Sequence, residues 1–360
     1  MLSVINSLDI GGAEKLLTDS IPFYKEEGVE MEVLLLKSSN SFLEKILEQE
    51  PTRVFTLFFN NVYNPFLILK IIPYLKKYDV IHVHLFPALY WVVFAKWISA
   101  SRTPVVYTEH STHNRRRNFL LFKWIDRIIY RGVSRIVSIS DDVDVKIKRH
   151  LQYSDQKFQL IYNGIDIRKY EMAKPYKKSY FFDEDSFILV QVSSFRFPKD
   201  QRTVILALKM LPEKIKLLLV GQGELEKECR ELVRELGLEG RVKFLGLRND
   251  IPEILKTCDV SILSSRYEGL SLSCIEGMAS GTVFIASKVP GLENIVDDYG
   301  ILFPVGKSEI LAEKIMRLYV DKSYYQAVSI KCLSRSKYFD IQNMVKSYIQ
   351  LYNDLMKRYG

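Results

Sequence analysis

Two carboxylates, Glu268 and Glu276, lie eight positions apart in the stretch SSRYEGLSLSCIEGMASG, directly after an apolar run that predicts a buried strand. Within one continuous helix, this spacing would turn the two side chains about 80° apart, so they would not share a face. We therefore expect Glu268 in the loop after the strand and Glu276 in a helix that begins near Ser271. Because the first amides of a helix bind anions, the stretch favours a ligand with phosphates in its middle and hydroxyl groups at both ends. A nucleotide sugar has these groups in this order.

A pair of cations forms the second candidate group. Arg196 and Lys199 lie in the loop SSFRFPKD at 193–200, which leaves a predicted strand and leads into a helix with Asp200 as its expected N-cap. A guanidinium group offers forked planar donors and an ammonium group a point charge, and both suit a diphosphate. Basic residues in loops are also common on solvated surfaces, so the spacing alone leaves both interpretations open.

Glycines mark two further turns between predicted strands and helices. Gly11 and Gly12 open a helix after a strand at 1–7, and Gly221 begins the turn GQGE at 221–224. Glycine allows the backbone to approach a ligand closely, although a tight turn would account for the same residues.

Three histidines lie near the ends of predicted strands. His82 and His84 share one side of a strand at 80–85, whereas His110 ends the run VVYTEH. Open parallel sheets bind ligands beyond the carboxyl ends of their strands, so His110 should face the ligand, with His113 as the rival. From the residues alone, a surface histidine is the alternative at both positions. A metal site at the first two histidines would need a third ligand, and the local spacing provides none. We expect His82 to be buried and hydrogen-bonded, and His84 to line the site.

The segment 114–135, NRRRNFLLFKWIDRIIYRGVSR, carries seven arginines and lysines and a single acid, Asp126. Its apolar residues recur at largely helical spacing: Phe119, Leu120, Phe122, Trp124, Ile125, Ile128 and Ile129. A basic amphipathic helix can lie on an anionic membrane surface, and the alternative is a packed helix with a solvated basic face. No nucleic-acid-binding motif accompanies the charge, so we expect no nucleic-acid partner.

Composition and charge limit the class of protein. A chain of 360 residues suits two domains of ordinary size, and 48% hydrophobic with 26% charged residues is typical of a globular protein with sizeable cores. The net charge of +8 fits an anionic ligand or an anionic membrane surface without deciding between them.

The cysteines and the apolar runs bear on localisation. The four cysteines are scattered without paired spacing, which is typical of reduced thiols in the cytosol. No apolar run approaches the roughly 18 residues that span a bilayer. The first residues lead straight into a predicted strand, without a signal peptide. We predict a cytoplasmic protein, with peripheral attachment to the inner face of the cell membrane as the open alternative.

Strand-like and helical patterns alternate along the chain, which predicts parallel sheets with helices on both faces. Strands are expected at 1–7, 31–36, 80–85, 105–108, 187–192, 216–220, 242–244, 260–263 and 283–286. The polar stretch 168–185 lacks periodicity and predicts a domain boundary, and the tail 308–360 has a helical pattern.

Several motifs together resemble the retaining glycosyltransferases of family 4, which have the GT-B fold. They are GGAE at 11–14, TEH at 108–110, YNGID at 162–166, SFRFPKD at 194–200, GQGE at 221–224 and the Glu-x7-Glu pair, in the family's order over nearly the whole chain. The resemblance implies an α/β protein of two Rossmann-like, doubly wound domains that face each other across a cleft. The acceptor-binding domain would comprise 1–166 plus 342–360, with a C-terminal crossover helix around 343–356, and the nucleotide-sugar-binding domain would comprise 167–341.

The resemblance also implies roles for individual residues. His110 would lie beside the donor sugar, Arg196 and Lys199 would bind the diphosphate, and Glu268 would touch the sugar; these four are the candidate catalytic residues. Glu276 would hold the ribose hydroxyls. The candidate substrate-binding residues are Gly11, Gly12, Asn163, Gly221, Leu247, Gly269, Leu270, Ser271, Leu272 and Glu276.

The implied reaction moves a sugar from a nucleoside-diphosphate donor, expected to be UDP-linked, to an acceptor hydroxyl with retention of configuration. The expected acceptor is a glycan or a lipid-linked glycan of bacterial surface polysaccharide synthesis. Cations and helix amides would stabilise the charge of the leaving group, so no metal ion or other cofactor is expected. The pairs Asp142-x-Asp144 and Asp183-x-Asp185 match a metal-binding Asp-x-Asp only in letters, since one falls at a helix start and the other in a linker turn.

Alternatives from other classes remain. A nucleotide-sugar epimerase of GT-B-like architecture would turn over the donor without an acceptor. A non-catalytic nucleotide-sugar-binding protein would bind without turnover. An inverting transferase would differ in the stereochemistry of its product.

Overall fold

The computed structural model describes residues 1–9, 11–39, 41–49, 52–57, 61–110 and 119–359, with the backbone alone at positions 42, 48, 49 and 120. The chain divides into two compact units. One comprises Met1–Gly164 and Ile341–Gly360, and the other comprises Ile165–Asp340.

Each unit is built on one parallel sheet. The strands in chain order are β1 (Leu2–Ile5), β2 (Glu32–Leu35), β3 (Val54–Thr56), β4 (Ile81–His84), β5 (Val105–Glu109), β6 (Arg135–Ser138), β7 (Phe158–Leu160), β8 (Phe187–Val192), β9 (Ile215–Val220), β10 (Val242–Gly246), β11 (Val260–Leu263), β12 (Val283–Ser287) and β13 (Ile301–Phe303). Over the described residues, the first sheet has the order β3-β2-β1-β4-β5-β6-β7 and the second has the order β10-β9-β8-β11-β12-β13. The predicted α/β fold with two Rossmann-like domains is confirmed.

Helices connect the strands and form the C-terminal tail. They are α1 (Gly12–Glu26), α2 (Phe42–Gln49), α3 (Leu67–Ile71), α4 (Ala88–Ile98), α5 (Leu120–Ile129), α6 (Asp141–Leu151), α7 (Ile167–Met172), α8 (Gln201–Lys209), α9 (Glu226–Glu235), α10 (Ile251–Thr257), α11 (Leu272–Ala279), α12 (Pro290–Val296), α13 (Ser308–Val320), α14 (Lys322–Ser336) and α15 (Ile341–Tyr359). Short 3-10 turns cover Tyr130–Gly132 after α5 and Phe197–Lys199 before α8.

Apolar strands explain why both sheets are central. In the first unit, β1 pairs with β4 so that Leu2 lies beside Ile81 and Val4 beside Val83. None of these four side chains is exposed. Parallel strands that are covered on both faces by helices lose nearly all contact with water. Their sequences are therefore continuous apolar runs.

Each sheet reverses its strand order at one point. In the first unit, the reversal lies between β1 and β4, and in the second unit it lies between β8 and β11. The loops that leave such neighbouring strands diverge to opposite faces and open a crevice at the carboxyl ends. In the second unit, these are the loops that carry the cation pair and Glu268.

The last helix, α15, belongs to the first unit and packs against α1 and the sheet. The hydroxyl of Tyr352 lies 2.7 Å from Nδ1 of His82, and the hydroxyl of Tyr348 lies 3.0 Å from Oγ1 of Thr108. Tyr352 also lies 3.4 Å from the Tyr24 hydroxyl. These buried hydrogen bonds fix the register of α15 on the sheet, because any shift would leave them unmade.

Two further expectations from the sequence can be compared with the fold. The cysteines at 229, 258, 274 and 332 are buried thiols, and burial raises the pKa of Cys229 and of Cys332 to about 11. Within the described ranges, no helix combines the length and the apolar character that crossing a bilayer requires.

Candidate functional site

At the reversal point of the second sheet, the loop after β8 is fixed against the end of β11. The Ser264 hydroxyl lies 2.8 Å from the carbonyl oxygen of Asp200 and 3.1 Å from that of Lys199. The amide nitrogen of Gln191 donates to the same Lys199 carbonyl at 2.8 Å. These polar groups are buried or partly buried, so the loop that carries the cations has a defined position relative to the next loop.

Lys199 and Glu268 form an ion pair across the two loops. Nζ of Lys199 lies 2.5 Å from Oε1 of Glu268, and the Ser265 hydroxyl donates to the same oxygen at 2.6 Å. Their side chains are 22% and 12% exposed, so solvent screens the pair only in part. The sequence motifs assigned Lys199 to the diphosphate and Glu268 to the sugar of a ligand. In the structure, these two side chains are in direct contact.

Arg196 and Arg266 lie in the same pair of loops. Arg196 is exposed and directly precedes the 3-10 turn that carries Lys199. Arg266 has a guanidinium group 3.2 Å from the carboxylate of Asp200 and stacks near the ring of Phe197, with 5.7 Å to its centroid. Sequence reasoning did not single out Arg266 or Ser265, because neither is part of a motif and both act through residues distant in the chain.

The expected capping role of Asp200 is wrong in its detail. Asp200 occupies the position before α8 with φ 45° and ψ 48°, but its side chain makes no hydrogen bond to the helix amides. Instead, its carboxylate accepts from the Thr203 hydroxyl at 3.0 Å and pairs with Arg266. The left-handed backbone turns the carboxylate away from the amides, and a nearby cation then attracts it.

Helix α11 begins at Leu272, next to the expected start. Ser271 occupies the N-cap position without a side-chain cap, and its hydroxyl lies 3.0 Å from that of Ser273. Glu276 is the fifth residue of the helix and only 5% exposed. Leu270 and Ser271 are buried as well. The carboxylate of Glu276 is therefore buried about one turn into α11, and Glu268 lies in the loop that precedes the helix.

Glycines hold these loops together by close backbone approach. A Cβ on Gly291 would lie 1.9 Å from the carbonyl oxygen of Gly269, so the start of α12 packs directly on the loop that carries Glu268. Gly221 has φ +134°, and a Cβ there would lie 2.2 Å from the carbonyl oxygen of Ser193. The close approach at Gly221 is thus to the protein's own backbone. Leu247, after β10, is exposed.

The candidates Gly11, Gly12 and Asn163 lie in the first unit. Gly11 precedes α1 in an extended conformation, and a Cβ on Gly12 would meet no atom within 4 Å. A Cβ on Gly11, in contrast, would lie 2.3 Å from a carboxylate oxygen of Glu14, so close packing explains Gly11 but not Gly12. Asn163 is 4% exposed, and its Oδ1 has no hydrogen-bond partner within the described part of the chain.

The three histidines come together at the carboxyl ends of β4 and β5. Nδ1 of His84 lies 3.1 Å from Nε2 of His110. His82 is buried as expected, and its Nε2 lies 2.7 Å from the Thr108 hydroxyl. Loss of hydration lowers the pKa of His82 to about 3 and that of His110 to about 4, and burial together with the neighbouring rings holds the pKa of His84 well below its usual range.

The sequence around His82 and His84 contains no third candidate metal ligand. In the structure, His110 lies beside His84. Nevertheless, the described residues contain no group of histidine, cysteine or acidic side chains arranged to hold a metal ion. Asp142 and Asp144 lie in the first turn of α6, as expected. His113, the rival of His110, lies outside the described residues.

The basic segment is described only in its C-terminal part, which is helical. Its residues 114–118 lie outside the described part, and α5 covers 120–129. The acid Asp126 is buried, with Oδ2 2.8 Å from Nε2 of His150, and it accepts a hydrogen bond from the Tyr90 hydroxyl. Three apolar residues instead face outward: Leu121, Trp124 and Ile128 are 68%, 65% and 51% exposed. The helix thus presents apolar side chains to its surroundings and a carboxylate to the protein interior.

Two parallel-sheet Rossmann-like units in one chain, with cations and carboxylates at the reversal point of the second sheet, fit the GT-B class of glycosyltransferases. The family model of Glycosyltransferase Family 4 matches residues 10–169, and the model of Glycosyl transferases group 1 matches residues 173–331. The chain belongs to this family of glycosyltransferases, group 1 and family 4.

Individual relatives agree with this assignment. The N-acetyl-alpha-D-glucosaminyl L-malate synthase of Bacillus anthracis is 28% identical over 297 residues, which cover 78% of this chain and 76% of that protein. The UDP-Gal:alpha-D-GlcNAc-diphosphoundecaprenol alpha-1,3-galactosyltransferase of Escherichia coli is 26% identical over 303 residues, again 78% and 76%. The solved structure of Anabaena HepE in complex with UDP-glucose is similar with a TM-score of 0.85 at 25% identity, over 98% of this chain and 99% of that chain.

Proposed function

We propose that this glycosyltransferase moves a sugar from a UDP-sugar to a hydroxyl group of a lipid-linked glycan, in the synthesis of a bacterial surface polysaccharide. The observation that carries the proposal is the Lys199–Glu268 contact of 2.5 Å at the reversal point of the second sheet, next to the exposed Arg196. The E. coli relative named above uses UDP-Gal and a diphosphoundecaprenol-linked acceptor, and the Anabaena protein binds UDP-glucose.

In this proposal, the second unit binds the donor and the first unit binds the acceptor. The bond between the anomeric carbon and the β-phosphate oxygen breaks, and the acceptor oxygen bonds to the same face of the sugar. The acceptor's proton passes to a phosphate oxygen of the departing UDP. This same-face route retains the configuration of the sugar.

Arg196, Lys199 and the amides at the start of α11 stabilise the negative charge that develops on UDP. Fixed donors aimed at a developing charge are usually the largest single contribution to catalysis. The proposed reaction therefore needs no metal ion. Glu268 both orients Lys199 and meets the sugar hydroxyls, while Glu276 holds the ribose and His110 lies beside the donor sugar.

Replacing Glu276 with alanine should weaken UDP binding about tenfold to a hundredfold, since a hydrogen bond to a charged group contributes roughly 1.5–3 kcal/mol. Calorimetric titration with UDP measures this directly. Glu268→Ala is the matched variant: it should leave UDP affinity within a few-fold while lowering turnover. Equal affinity of the Glu276→Ala protein and the wild type for UDP would contradict the ribose assignment.

The reaction class is tested by product analysis with a panel of UDP-sugars, each with and without a polyprenyl-diphosphate-linked glycan. We expect sugar transfer only in the presence of the acceptor, unchanged in excess chelator. Conversion of the donor alone would instead identify an epimerase. Binding that protects the protein against thermal unfolding, without turnover on any acceptor, would identify a binding protein.

An anionic membrane surface is the second partner in this proposal, with the protein working peripherally on the cytoplasmic face. The orientation of α5 supports it. Burial of Asp126 against His150 and Tyr90 turns Leu121, Trp124 and Ile128 outward, and Lys123 and Arg127 flank this apolar stripe. Apolar side chains at a membrane boundary with cations beside them match the requirements of an interfacial helix.

Replacing Leu121 and Trp124 together with serine should reduce binding to phosphatidylglycerol-containing vesicles by about a hundredfold, because each side chain gains up to roughly 1.5–3 kcal/mol from burial. Vesicle sedimentation measures the effect, and binding should also weaken as salt screens the cations. Ile330→Ser is the matched control, since Ile330 is 69% exposed but lies in the second unit. If neither salt nor the double substitution changed vesicle binding, α5 would be a solvated surface helix without a role in membrane binding.

A further inference from the structure

His84 contacts the candidate catalytic histidine directly. Its Nδ1 lies 3.1 Å from Nε2 of His110, with ring centroids 5.4 Å apart. His82, two residues earlier on β4, has both nitrogens engaged, because Nδ1 lies 2.7 Å from the Tyr352 hydroxyl and Nε2 lies 2.7 Å from the Thr108 hydroxyl. Of the two strand histidines, His84 is therefore the one whose state bears on His110.

Both rings of this pair are neutral at physiological pH. The pKa of His110 is lowered to about 4 by loss of hydration, and the pKa of His84 lies well below its usual range because the ring is buried beside two other imidazoles. Each ring then carries one proton, and the contact between them is an N–H···N hydrogen bond. Two arrangements satisfy it: either His84 donates from Nδ1, or His110 donates from Nε2.

The surroundings of His84 distinguish the two arrangements. His84 is 7% exposed, and its Nε2 is buried with no hydrogen-bond partner within the described part of the chain. If His110 were the donor, Nδ1 of His84 would accept and the proton of His84 would have to lie on Nε2. That would bury an N–H group without a partner, which folded proteins strongly avoid.

The side chains around His84 also favour donation from its Nδ1. His84 and His110 line a pocket with apolar side chains such as Leu16, Leu17 and Met344. The polar residues that also line it have hydrogen bonds to groups other than His84: Ser20, Tyr24, His82 and Tyr348. Apolar side chains tolerate a bare ring nitrogen better than an unpaired donor, since a buried donor loses its full interaction with water. Donation from Nδ1 of His84 leaves Nε2 as a bare nitrogen, without a proton that would need a partner.

We propose that His84 is a positioning residue that sets the tautomer of His110: Nδ1–H of His84 donates to Nε2 of His110, so that His110 carries its own proton on Nδ1. The inference rests on the proposed function only in that His110 acts beside the donor sugar. His110 then has one nitrogen held by the protein and one N–H donor for a sugar or phosphate oxygen. His84 fixes which nitrogen is which.

The test is ¹⁵N nuclear magnetic resonance of the histidine rings in the substrate-free protein at neutral pH. In the wild type, we expect both His84 and His110 to be protonated on Nδ1. A proton on Nε2 of either ring would overturn the proposal without any variant. Because no substrate is present, this result does not depend on the reaction.

Two substitutions of His84 then separate a donor effect from a packing effect. His84→Asn places an amide donor near the position of Nδ1 and should keep the His110 proton on Nδ1. His84→Leu introduces an apolar side chain of similar size and removes the donor, so the His110 proton should redistribute to Nε2. Thr108→Val is the matched control: it removes a buried hydrogen bond of the neighbouring His82, and the tautomer of His110 should not change.

Kinetics provide the second measurement. His84→Leu should lower kcat about tenfold, the effect of losing one directed hydrogen bond, at an unchanged KM for the UDP-sugar. His84→Asn should restore kcat to within a few-fold of the wild type. A purely structural role would lower the yield and stability of both variants alike and would not move the proton of His110. If His110→Ala left transfer unaffected, the catalytic role of His110 would fail while the tautomer result stood.

Discussion

Replacing Arg196 and Lys199 together with alanine should lower turnover by a factor of a thousand or more, since each directed donor to a developing charge contributes about 10²–10³ in rate. The two cations lie at the reversal point of the second sheet, and in the proposed reaction the charge on the departing diphosphate grows beside them as its bond to the sugar breaks. Because they meet that charge most strongly in the transition state, kcat should fall far more than donor affinity. Steady-state kinetics with a UDP-sugar and its acceptor measures both quantities.

The single variants refine this expectation. Arg196 is exposed, so Arg196→Ala should leave the melting temperature nearly unchanged. Lys199→Ala removes the cation that contacts Glu268 at 2.5 Å, so a modest loss of stability should accompany the loss of turnover. Lys214→Ala is the control, because Lys214 pairs with Asp185 on the exposed surface of the same unit. Unfolding of the Arg196→Ala protein, or full activity of the double variant, would contradict the assignment.

The fold could be predicted from the sequence because its signals are local. The strand expected at 187–192 is β8 (Phe187–Val192), and the strand expected at 260–263 is β11 (Val260–Leu263). Both are apolar runs that end at polar loops, and a parallel sheet buried on both faces requires nothing more specific of its strands. The same locality placed the start of α11 next to Ser271.

Side-chain partners depend on residues far apart in the chain, and these could not be predicted. The Lys199–Glu268 contact joins positions 69 apart, and the His84–His110 contact joins positions 26 apart. Asp126 counted in the sequence as the single acid of a basic segment. Its burial depends on His150, which no periodicity of the segment itself encodes.

Acid should unfold the first unit well before the second. His82, His84 and His110 all have a pKa below the usual 6.5 in the folded protein, since burial disfavours their charged forms. Unfolding exposes them and restores ordinary values near 6.5. Below that pH, the unfolded chain binds protons that the folded unit does not, so the free energy of unfolding falls as the pH falls.

The magnitude is large for a single domain. Each such histidine contributes at most about 1.4 kcal/mol per pH unit between pH 6.5 and its folded value, so the three together lower the free energy of unfolding by several kcal/mol over two pH units. A drop of two pH units is then comparable with the whole stability of a typical domain. The effect ends as the pH approaches about 4 for His110 and about 3 for His82, where the folded unit takes up the same protons.

The second unit is an internal control for this prediction. Residues 165–340 contain no histidine, and the Arg248 guanidinium lowers the pKa of the Asp250 carboxyl there to about 2. The stability that Asp250 contributes is present above its ordinary pKa of 3.8 and is lost only as the pH falls toward 2. The tryptophans, Trp91, Trp97 and Trp124, all lie in the first unit, so their fluorescence reports on its unfolding alone. Between pH 6 and 4.5, we expect tryptophan fluorescence to show an unfolding transition while amide hydrogen exchange in β8 and β11 stays slow, and simultaneous loss of both would assign the acid sensitivity to groups other than these histidines.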